Sequence, residues 1–225
     1  MASDQHIAHG RLAGKVALVT GAAGNIGGDI VRRYLQEGAT VAFSGRSAQR
    51  LEGAIAKALE DTGASAERAL PVVMDGADPE SVRAGLQHVI STCGKLDIVV
   101  NNAGSAGPKQ PLEKVPLTRE ELEALGGADT ETVGDAMRNI LGVTWNVTRL
   151  AVPYLETGAS IVNVSTVFSR TKYFGRTAYV VPKASLNALS QCFAEELGPK
   201  GIRVNNIFPG PIESDRIRTV FAAMD

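Results

Sequence analysis

Six short apolar segments alternate with longer amphipathic segments along this chain, and no hairpin signal separates any two of them. The apolar segments, expected to be strands, are residues 16–20, 40–44, 70–74, 96–100, 160–164 and 204–208. The amphipathic segments, expected to be helices, are residues 26–36, 47–60, 79–92, 130–156 and 179–197. Because each helix carries the chain back across the sheet, successive strands pair in parallel. The sequence therefore predicts an α/β fold with a three-layer, doubly wound parallel sheet, whose ligands bind beyond the carboxyl ends of the strands.

The composition is that of an ordinary globular protein and limits the kinds of binding partner to expect. The 225 residues carry a net charge of -1, which gives no reason to expect nucleic acid or an anionic membrane as a partner. No apolar run is long enough to span a membrane. Cys93 and Cys192 are far apart and in no metal-type spacing, so we expect reduced thiols in a cytoplasmic protein without a metal site. Residues 1–11 are polar and predict a flexible tail ahead of one domain over residues 12–225.

Two further features concern the organisation of the chain. Residues 105–129 form a long segment with prolines and glycines after the fourth strand, which is typical either of a lid over a site or of a tolerated surface insertion. The chain also stops soon after the sixth strand, where an open sheet edge would be exposed. We therefore expect the last strand of the sheet to be missing here, and these residues to be part of a longer polypeptide.

A glycine-rich loop joins the first strand to the first helix. Residues 20–27 read TGAAGNIG, with glycines suited to a tight turn, to a close approach of a pyrophosphate and to helix–strand packing. The amino end of the helix favours the negative charge of the phosphates. The sequence predicts a dinucleotide-binding Rossmann fold in which the loop residues contact the cofactor: Gly21, Gly24, Asn25, Ile26 and Gly27.

The end of the second strand distinguishes NADP from NAD. Proteins that bind NAD commonly place a carboxylate there for the ribose hydroxyls. Residues 43–47 read FSGRS instead, and Arg46 with the hydroxyls of Ser44 and Ser47 can hold a 2'-phosphate. We expect NADPH as the cofactor. Asp75, after the third strand, is either a partner of the adenine amino group or a cap of the helix that begins at Pro79.

Tyr179 and Lys183 are separated by four positions at the start of a predicted helix, so they lie on one face of it. The ammonium group of Lys183 would stabilise the phenolate of Tyr179 and make it usable as a general acid or base. This spacing is common by chance, and its weight depends on the other motifs of the chain. Pro182 lacks an N–H group, so this helix is expected to begin close to Tyr179.

Together with the motif NNAG at residues 101–104, these features resemble the short-chain dehydrogenase/reductase family over residues 12 to about 215. The resemblance implies hydride transfer between NAD(P)H and a carbonyl or alcohol, with Tyr179 as the proton donor and Lys183 holding the nicotinamide ribose. It implies a proton relay through Asn139 and a homodimer paired through long helices. It also assigns further cofactor contacts at two motifs, namely Asn102, Ala103, Gly104, Pro209, Gly210 and Ile212.

Two motifs depart from the usual family pattern. The glycine loop has the spacing G-x-x-G-x-x-G, which resembles the extended branch of the family. The hydroxyl that polarises the carbonyl usually lies thirteen residues before the tyrosine, which gives Thr166, whereas Ser165 is one residue earlier. Adjacent residues of a strand point to opposite faces, so one of the two should face the site. Both Ser165 and Thr166 stay candidates.

A closer resemblance is to the amino-terminal half of bifunctional malonyl-CoA reductases, at residues 102–107, 164–170, 179–183 and 207–221. It implies reduction of malonate semialdehyde to 3-hydroxypropionate, with a carboxy-terminal remainder that makes the semialdehyde. Arginine suits the substrate carboxylate. Arg170 and Arg176 are the first candidates for this contact, ahead of Arg216 and Arg218. The alternatives are a 3-oxoacyl thioester reductase and a non-catalytic nucleotide sensor or scaffold unit.

Overall fold

A computed structural model describes residues 10–105, 107, 110–124, 131–171 and 174–212. Its strands are β1 (Val16–Thr20), β2 (Thr40–Gly45), β3 (Ala69–Val73), β4 (Leu96–Asn101), β5 (Leu155–Val164) and β6 (Arg203–Ile207). Its α-helices are α1 (Asn25–Gln36), α2 (Ala48–Thr62), α3 (Pro79–Cys93), α4 (Arg119–Ala124), α5 (Val133–Met137), α6 (Val143–Ala151) and α7 (Thr177–Leu197). All neighbouring strands are parallel, in the order β3-β2-β1-β4-β5-β6. The predicted doubly wound α/β fold is therefore confirmed.

Alternate residues of the central strands pack into two separate hydrophobic layers, one on each side of the sheet. In β1, Ala17 and Val19 pack with the α1 and α2 side of the sheet, where Val31 and Leu51 are fully buried. Leu18 packs on the opposite side, which α3, α6 and α7 cover. From β1 the chain adds β2 and β3 on one side, and it then adds β4, β5 and β6 on the other side. A crevice opens between β1 and β4, beyond the carboxyl ends of the strands.

Capping residues fix the ends of α2 and α3. The Ser47 hydroxyl caps α2 by accepting a hydrogen bond from the Arg50 N–H at 3.3 Å. Asp78 caps α3 through both carboxylate oxygens, and Pro79 takes the first helical position. Gly94 ends α3 in the left-handed region, with φ of 74°.

The predicted helix over residues 130–156 is shorter and interrupted. It begins at Val133 and contains a π-helical turn, Arg138–Gly142, between α5 and α6. The helix gives way at Val152–Tyr154 to a 3₁₀ turn that holds Pro153, which cannot donate the helical hydrogen bond. From Leu155 the chain is already strand, because Leu155 pairs with Leu96 of β4.

The prediction for the start of α7 was wrong by two residues. The helix begins at Thr177, so Pro182 is its sixth residue and lies beyond the first turn. The N–H groups of Tyr179 and Val180 both donate to the Arg176 carbonyl oxygen, which fixes the start of the helix ahead of the tyrosine.

Three asparagines form a rung across β4, β5 and β6, in which Asn101 and Asn163 are buried and Asn206 is half-buried. Asn101 is opposite Asn163, and Asn163 is opposite Asn206. The Asn101 side-chain amide donates to Asn163 Oδ1 at 2.8 Å and to Thr148 Oγ1 at 2.9 Å. Asn163 Nδ2 donates to Ser190 Oγ at 2.7 Å, and Asn206 Oδ1 lies 2.7 Å from the same hydroxyl. The rung ties the sheet to α6 and α7 just below the crevice.

The edges of the domain differ in part from the prediction. Arg11, assigned to the flexible tail, is bound by Glu37 through its backbone N–H and its guanidinium group; residues 1–9 lie outside the described residues. The segment 105–129 contains a short helix, α4, where no regular structure was predicted. β6 forms one edge of the described sheet, and a further strand stays a prediction. Within the described ranges, no helix is long and apolar enough to cross a membrane.

Candidate active site

A cavity of about 1030 Å³ lies beyond the carboxyl ends of the strands and contains most of the predicted site residues. Its wall includes the glycine loop, the ends of β2 and β4, and the beginning of α7. These segments are far apart in sequence, and the parallel sheet brings them together at one edge.

The glycine loop leaves the amino end of α1 open to the cavity. Gly21 has φ of 66°, and a Cβ on Gly27 would lie 2.1 Å from the Gly21 carbonyl oxygen, so both positions require glycine. Gly24 caps α1 without a side chain, and no acidic residue occupies the first turn. Asn25 is the first helical residue, so α1 begins directly after the second glycine of the G-x-x-G-x-x-G spacing. Unpaired N–H groups at a positive helix end suit a pyrophosphate.

Beyond the end of β2 the cavity wall is basic. Ser44, Arg46 and Ser47 line it as predicted, and Arg50 joins them. Arg46 precedes the N-cap of α2 and Arg50 lies in its first turn, and neither arginine takes part in an ion pair among the described residues. This group of hydroxyls and guanidiniums fits a 2'-phosphate on the adenosine ribose.

Asp75 also lines the cavity, and its capping alternative is excluded because Asp78 caps α3. One Asp75 carboxylate oxygen accepts a hydrogen bond from the Ala77 N–H at 3.0 Å. Asp75 is therefore a cavity residue, and its contact with the adenine amino group stays a prediction.

The NNAG motif holds the glycine loop in place. Asn102 Nδ2 donates to the carbonyl oxygens of Thr20 and Gly21, and the Thr20 hydroxyl accepts from the N–H groups of Asn102 and Ala103. Gly104 brings the backbone close to α7, since a Cβ there would lie 3.7 Å from Lys183 Nζ. Asn102, Ala103 and Gly104 all line the cavity.

Tyr179 and Lys183 face the cavity from the first two turns of α7. Lys183 is only 6% exposed, and its Nζ donates to the Val164 carbonyl oxygen at 2.6 Å. Burial lowers the pKa of Lys183 to about 8, because desolvation disfavours the charged amine. The amine can therefore exchange a proton near neutral pH.

Ser165 and Thr166 are both buried and both line the cavity, but their hydroxyls are engaged differently. Ser165 Oγ lies 2.7 Å from Asn187 Oδ1 and 3.2 Å from the Lys183 carbonyl oxygen, so its proton points under α7. Thr166 Oγ1 accepts from the Phe168 N–H, and its own proton has no acceptor among the described residues. Thr166 is thus the hydroxyl with a proton to offer to a ligand.

Asn139 lies in the π-helical turn, a feature that often marks functional sites. Its Nδ2 donates to Glu131 Oε1 at 2.8 Å, and both residues line the cavity. A Cβ on Gly104 would lie 3.9 Å from the Asn139 carbonyl oxygen, so this carbonyl faces the same space as Lys183 Nζ. A water between these two groups would connect the lysine to solvent.

The structure separates the two predicted substrate arginines. The Arg176 guanidinium lies 4.8 Å from the centre of the Tyr179 ring, and Arg176 lines the cavity. The Arg170 guanidinium stacks on the Phe208 ring at 4.1 Å, and Arg170 is not among the lining residues. Arg216 and Arg218 lie outside the described residues, as does the part of the 207–221 motif beyond Ile212.

The loop after β6 closes one side of the cavity. Gly210 and Ile212 line it as predicted, together with Pro211. Pro209 does not; its carbonyl oxygen accepts from the Val167 N–H and joins this loop to the one after β5.

The sequence profile of the family described as short chain dehydrogenase matches residues 15–225. The chain belongs to this family. It is an oxidoreductase with the family's fold.

Three relatives show how broad this similarity is. The chain is 34% identical to 3-oxoacyl-[acyl-carrier-protein] reductase FabG of Thermotoga maritima, over 91% of this chain and 76% of that protein. It is 36% identical to L-fucose dehydrogenase of Oryctolagus cuniculus, over 90% of this chain and 64% of that protein. The crystal structure of the N-domain, with NADP, of a bacterial malonyl-CoA reductase superposes with a TM-score of 0.91 at 60% identity. The match covers 96% of this chain and 40% of that one, so the chain spans less than half of that protein's length.

The residues of this short-chain dehydrogenase/reductase fit NADP(H). The uncapped end of α1 offers N–H groups for the pyrophosphate, and Arg46 and Arg50 offer charge for the 2'-phosphate. Within the described residues, no group of His, Cys, Asp and Glu side chains could hold a metal ion.

Sequence reasoning missed three polar residues of the cavity: Arg50, Ser105 and Glu131. Ser105 Oγ and Glu131 Oε2 are buried and have no hydrogen-bond partner among the described residues. Arg50 could have been found from its spacing of four residues after Arg46, since both fall near the start of one helix. Nothing in the sequence singles out Ser105 or Glu131, because both lie in the irregular segment after β4 or at its end.

Proposed function

We propose that this protein reduces malonate semialdehyde to 3-hydroxypropionate with NADPH, as the amino-terminal part of a bifunctional malonyl-CoA reductase. The observation that carries the proposal is the 60% identity with the N-domain of a bacterial malonyl-CoA reductase over nearly the whole chain. The FabG of Thermotoga maritima and the L-fucose dehydrogenase are only 34% and 36% identical.

The proposed chemistry follows from the residues that face the cavity. NADPH supplies the hydride to the aldehyde carbon. Thr166 donates a hydrogen bond to the carbonyl oxygen, and Tyr179 gives this oxygen its proton, so the product is an alcohol. Lys183 holds the ribose and restores the proton of Tyr179. Water at the Asn139 carbonyl then connects Lys183 to solvent.

Arg176 is the proposed partner of the substrate carboxylate. Its guanidinium lies over the ring of Tyr179, so it is the arginine beside the proposed proton donor. A planar guanidinium can bind a carboxylate through two parallel hydrogen bonds and hold the short substrate by the end opposite its aldehyde.

Two assembly features belong to the same proposal. The similar N-domain structure is much longer than this chain, which supports a larger polypeptide with a carboxy-terminal remainder. A homodimer through α6 and α7 is supported by Trp145, which is 51% exposed and packs against Phe193. A cytoplasmic location stays a prediction.

The test is a direct comparison of substrates with the purified protein and NADPH. We expect malonate semialdehyde to be reduced with a kcat/KM at least 100-fold above that of an acetoacetyl thioester. A preference for the thioester would instead favour the 3-oxoacyl reductase that the similarity to FabG suggests. Binding of NADPH without turnover of either would favour the nucleotide sensor.

The role of Arg176 has its own test. Arg176→Gln should raise the KM for malonate semialdehyde about tenfold or more and leave the KM for NADPH within twofold. Arg149→Gln is the control, because Arg149 is exposed on α6 and does not line the cavity. A larger effect of Arg170→Gln would transfer the role to Arg170.

A further inference from the structure

Asn187 is the third polar residue on the face of α7 that carries the catalytic pair. It follows Lys183 by one helical turn and Tyr179 by two, so the three side chains point to the same side of the helix. Asn187 does not line the cavity. It lies below the cavity, against the loop that joins β5 to α7.

The Asn187 amide holds that loop at two points. Its Oδ1 lies 2.7 Å from Ser165 Oγ, and its Nδ2 donates to Ser169 Oγ at 2.9 Å. Ser169 in turn donates to the Thr166 carbonyl oxygen at 2.7 Å. The same amide therefore contacts Ser165 directly and supports the backbone of Thr166 through Ser169.

The position of Asn187 is itself fixed by the asparagine rung. Asn206 Nδ2 lies 3.5 Å from Asn187 Oδ1, and Asn206 shares the Ser190 hydroxyl with Asn163. The amide can therefore not turn away without breaking its contacts to Ser165, Ser169 and Asn206.

This arrangement gives the two neighbouring hydroxyls different roles. Ser165 has its only proton directed to acceptors under α7, at Asn187 Oδ1 and the Lys183 carbonyl oxygen. Thr166 accepts a hydrogen bond from the Phe168 N–H, which leaves its proton free to be donated.

We propose that Asn187 is a positioning residue that selects Thr166 as the hydroxyl acting on the substrate carbonyl. It does so by binding the proton of Ser165 and by fixing the Thr166 backbone through Ser169. This inference rests on the proposed carbonyl reduction but not on the identity of the aldehyde, because any carbonyl substrate of the protein reports on it.

The experiment is a double-mutant cycle between positions 187 and 166, measured as kcat at saturating NADPH. In the native background, Thr166→Val should lower kcat by about 100-fold, as expected for the loss of a hydrogen bond to a developing oxyanion. Ser165→Ala should cost far less. In the Asn187→Leu background Ser165 keeps only the longer contact to the Lys183 carbonyl oxygen, at 3.2 Å, and can donate to the substrate instead, so Thr166→Val should cost about tenfold or less.

An equal cost of Thr166→Val in both backgrounds would overturn the inference, as would a greater loss with Ser165→Ala than with Thr166→Val in the native background. If Asn187→Leu does not fold, Asn187→Ser serves in the same cycle. Ser185→Ala is the matched control, because Ser185 also lies on α7 but its hydroxyl donates to the Val181 carbonyl oxygen, outside this network. It should leave the ratio between the two hydroxyls unchanged.

The outcomes separate this inference from the proposed function. Failure to reduce malonate semialdehyde, with another carbonyl reduced instead, would refute the substrate and leave the cycle measurable. If malonate semialdehyde is a good substrate and Thr166→Val lowers its kcat equally in both backgrounds, only the role of Asn187 is refuted.

Discussion

Lys183 Nζ donates to the carbonyl oxygen of Val164, the last residue of β5, at 2.6 Å. None of the ion pairs found among the described residues includes Lys183, although the amine is almost completely buried. The site therefore holds a cation that burial destabilises, and its pKa falls to about 8. Such strain is a common cost of an active site.

The first prediction is that Lys183→Met stabilises the fold at neutral pH while it abolishes reduction. The unfolded chain binds the Lys183 proton up to about pH 10.5, whereas the folded chain releases it above about pH 8. The cost of the buried charge, about 3 kcal/mol at most, is thus present below pH 8 and is relieved between pH 8 and 10.5. The gain in melting temperature over the native protein should shrink from pH 7 to pH 10.

Thermal unfolding at both pH values checks this, with Lys200→Met as a control, since Lys200 is exposed. A gain that does not change with pH would contradict the charge-burial explanation.

The second prediction is that Tyr179→Phe removes reduction without removing the cofactor. Loss of a positioned general acid should lower kcat by about 1000-fold. The NADPH dissociation constant should stay within about threefold, because the loop at α1 and the arginines near β2 are untouched. Turnover and NADPH fluorescence titration measure the two quantities separately. Native-like activity in this variant would refute the assignment of Tyr179.

The third prediction concerns the choice between the two nicotinamide cofactors. Arg46→Glu should weaken NADPH binding at least tenfold, about 1.4 kcal/mol, and leave NADH binding nearly unchanged, because only NADPH carries the 2'-phosphate. Arg50→Glu should act in the same direction. Arg83→Glu is the control, since Arg83 is on α3 and pairs with Glu80 away from the cavity. Equal losses for both cofactors would argue against a phosphate site here.

The fourth prediction contrasts two glycines that both lie in helices. Gly27→Ala should prevent cofactor binding or destabilise the fold by several kcal/mol, because its Cβ would lie 2.1 Å from the Gly21 carbonyl oxygen. Gly53→Ala should stabilise the protein by about 0.5–1 kcal/mol, because Gly53 lies in α2 with open space around it. Denaturant unfolding of both variants, compared with the native protein, tests this opposite sign.

Sequence patterns predicted most of the fold, because buried parallel strands are short and uniformly apolar. β1 has the predicted bounds, whereas the cap of α3 is Asp78 and not Asp75, which the sequence had offered as an alternative. The π-helical turn around Asn139 was not predictable, since its hydrogen-bond shift depends on packing rather than on local composition. The helix start at Thr177 was not predicted, because Pro182 was expected in the first turn and is instead the sixth residue of α7.

At the site, the sequence identified residue types but not their orientation. Ser165 and Thr166 are adjacent, and their roles diverge only because Asn187, 22 residues after Ser165, accepts from one of them. Arg170 and Arg176 looked equivalent in sequence, and aromatic rings on different elements separate them. Such tertiary contacts leave no periodic signal in a single sequence.

The asparagine rung across β4, β5 and β6 also restricts how the sheet can assemble. A slip of one residue in any of these strands would turn its amide to the opposite side of the sheet, away from Thr148 and Ser190. A buried amide without a partner costs about 1–3 kcal/mol, whereas a slipped valine or isoleucine loses much less. The rung therefore favours the observed register of β4, β5 and β6 over a register shifted by one residue.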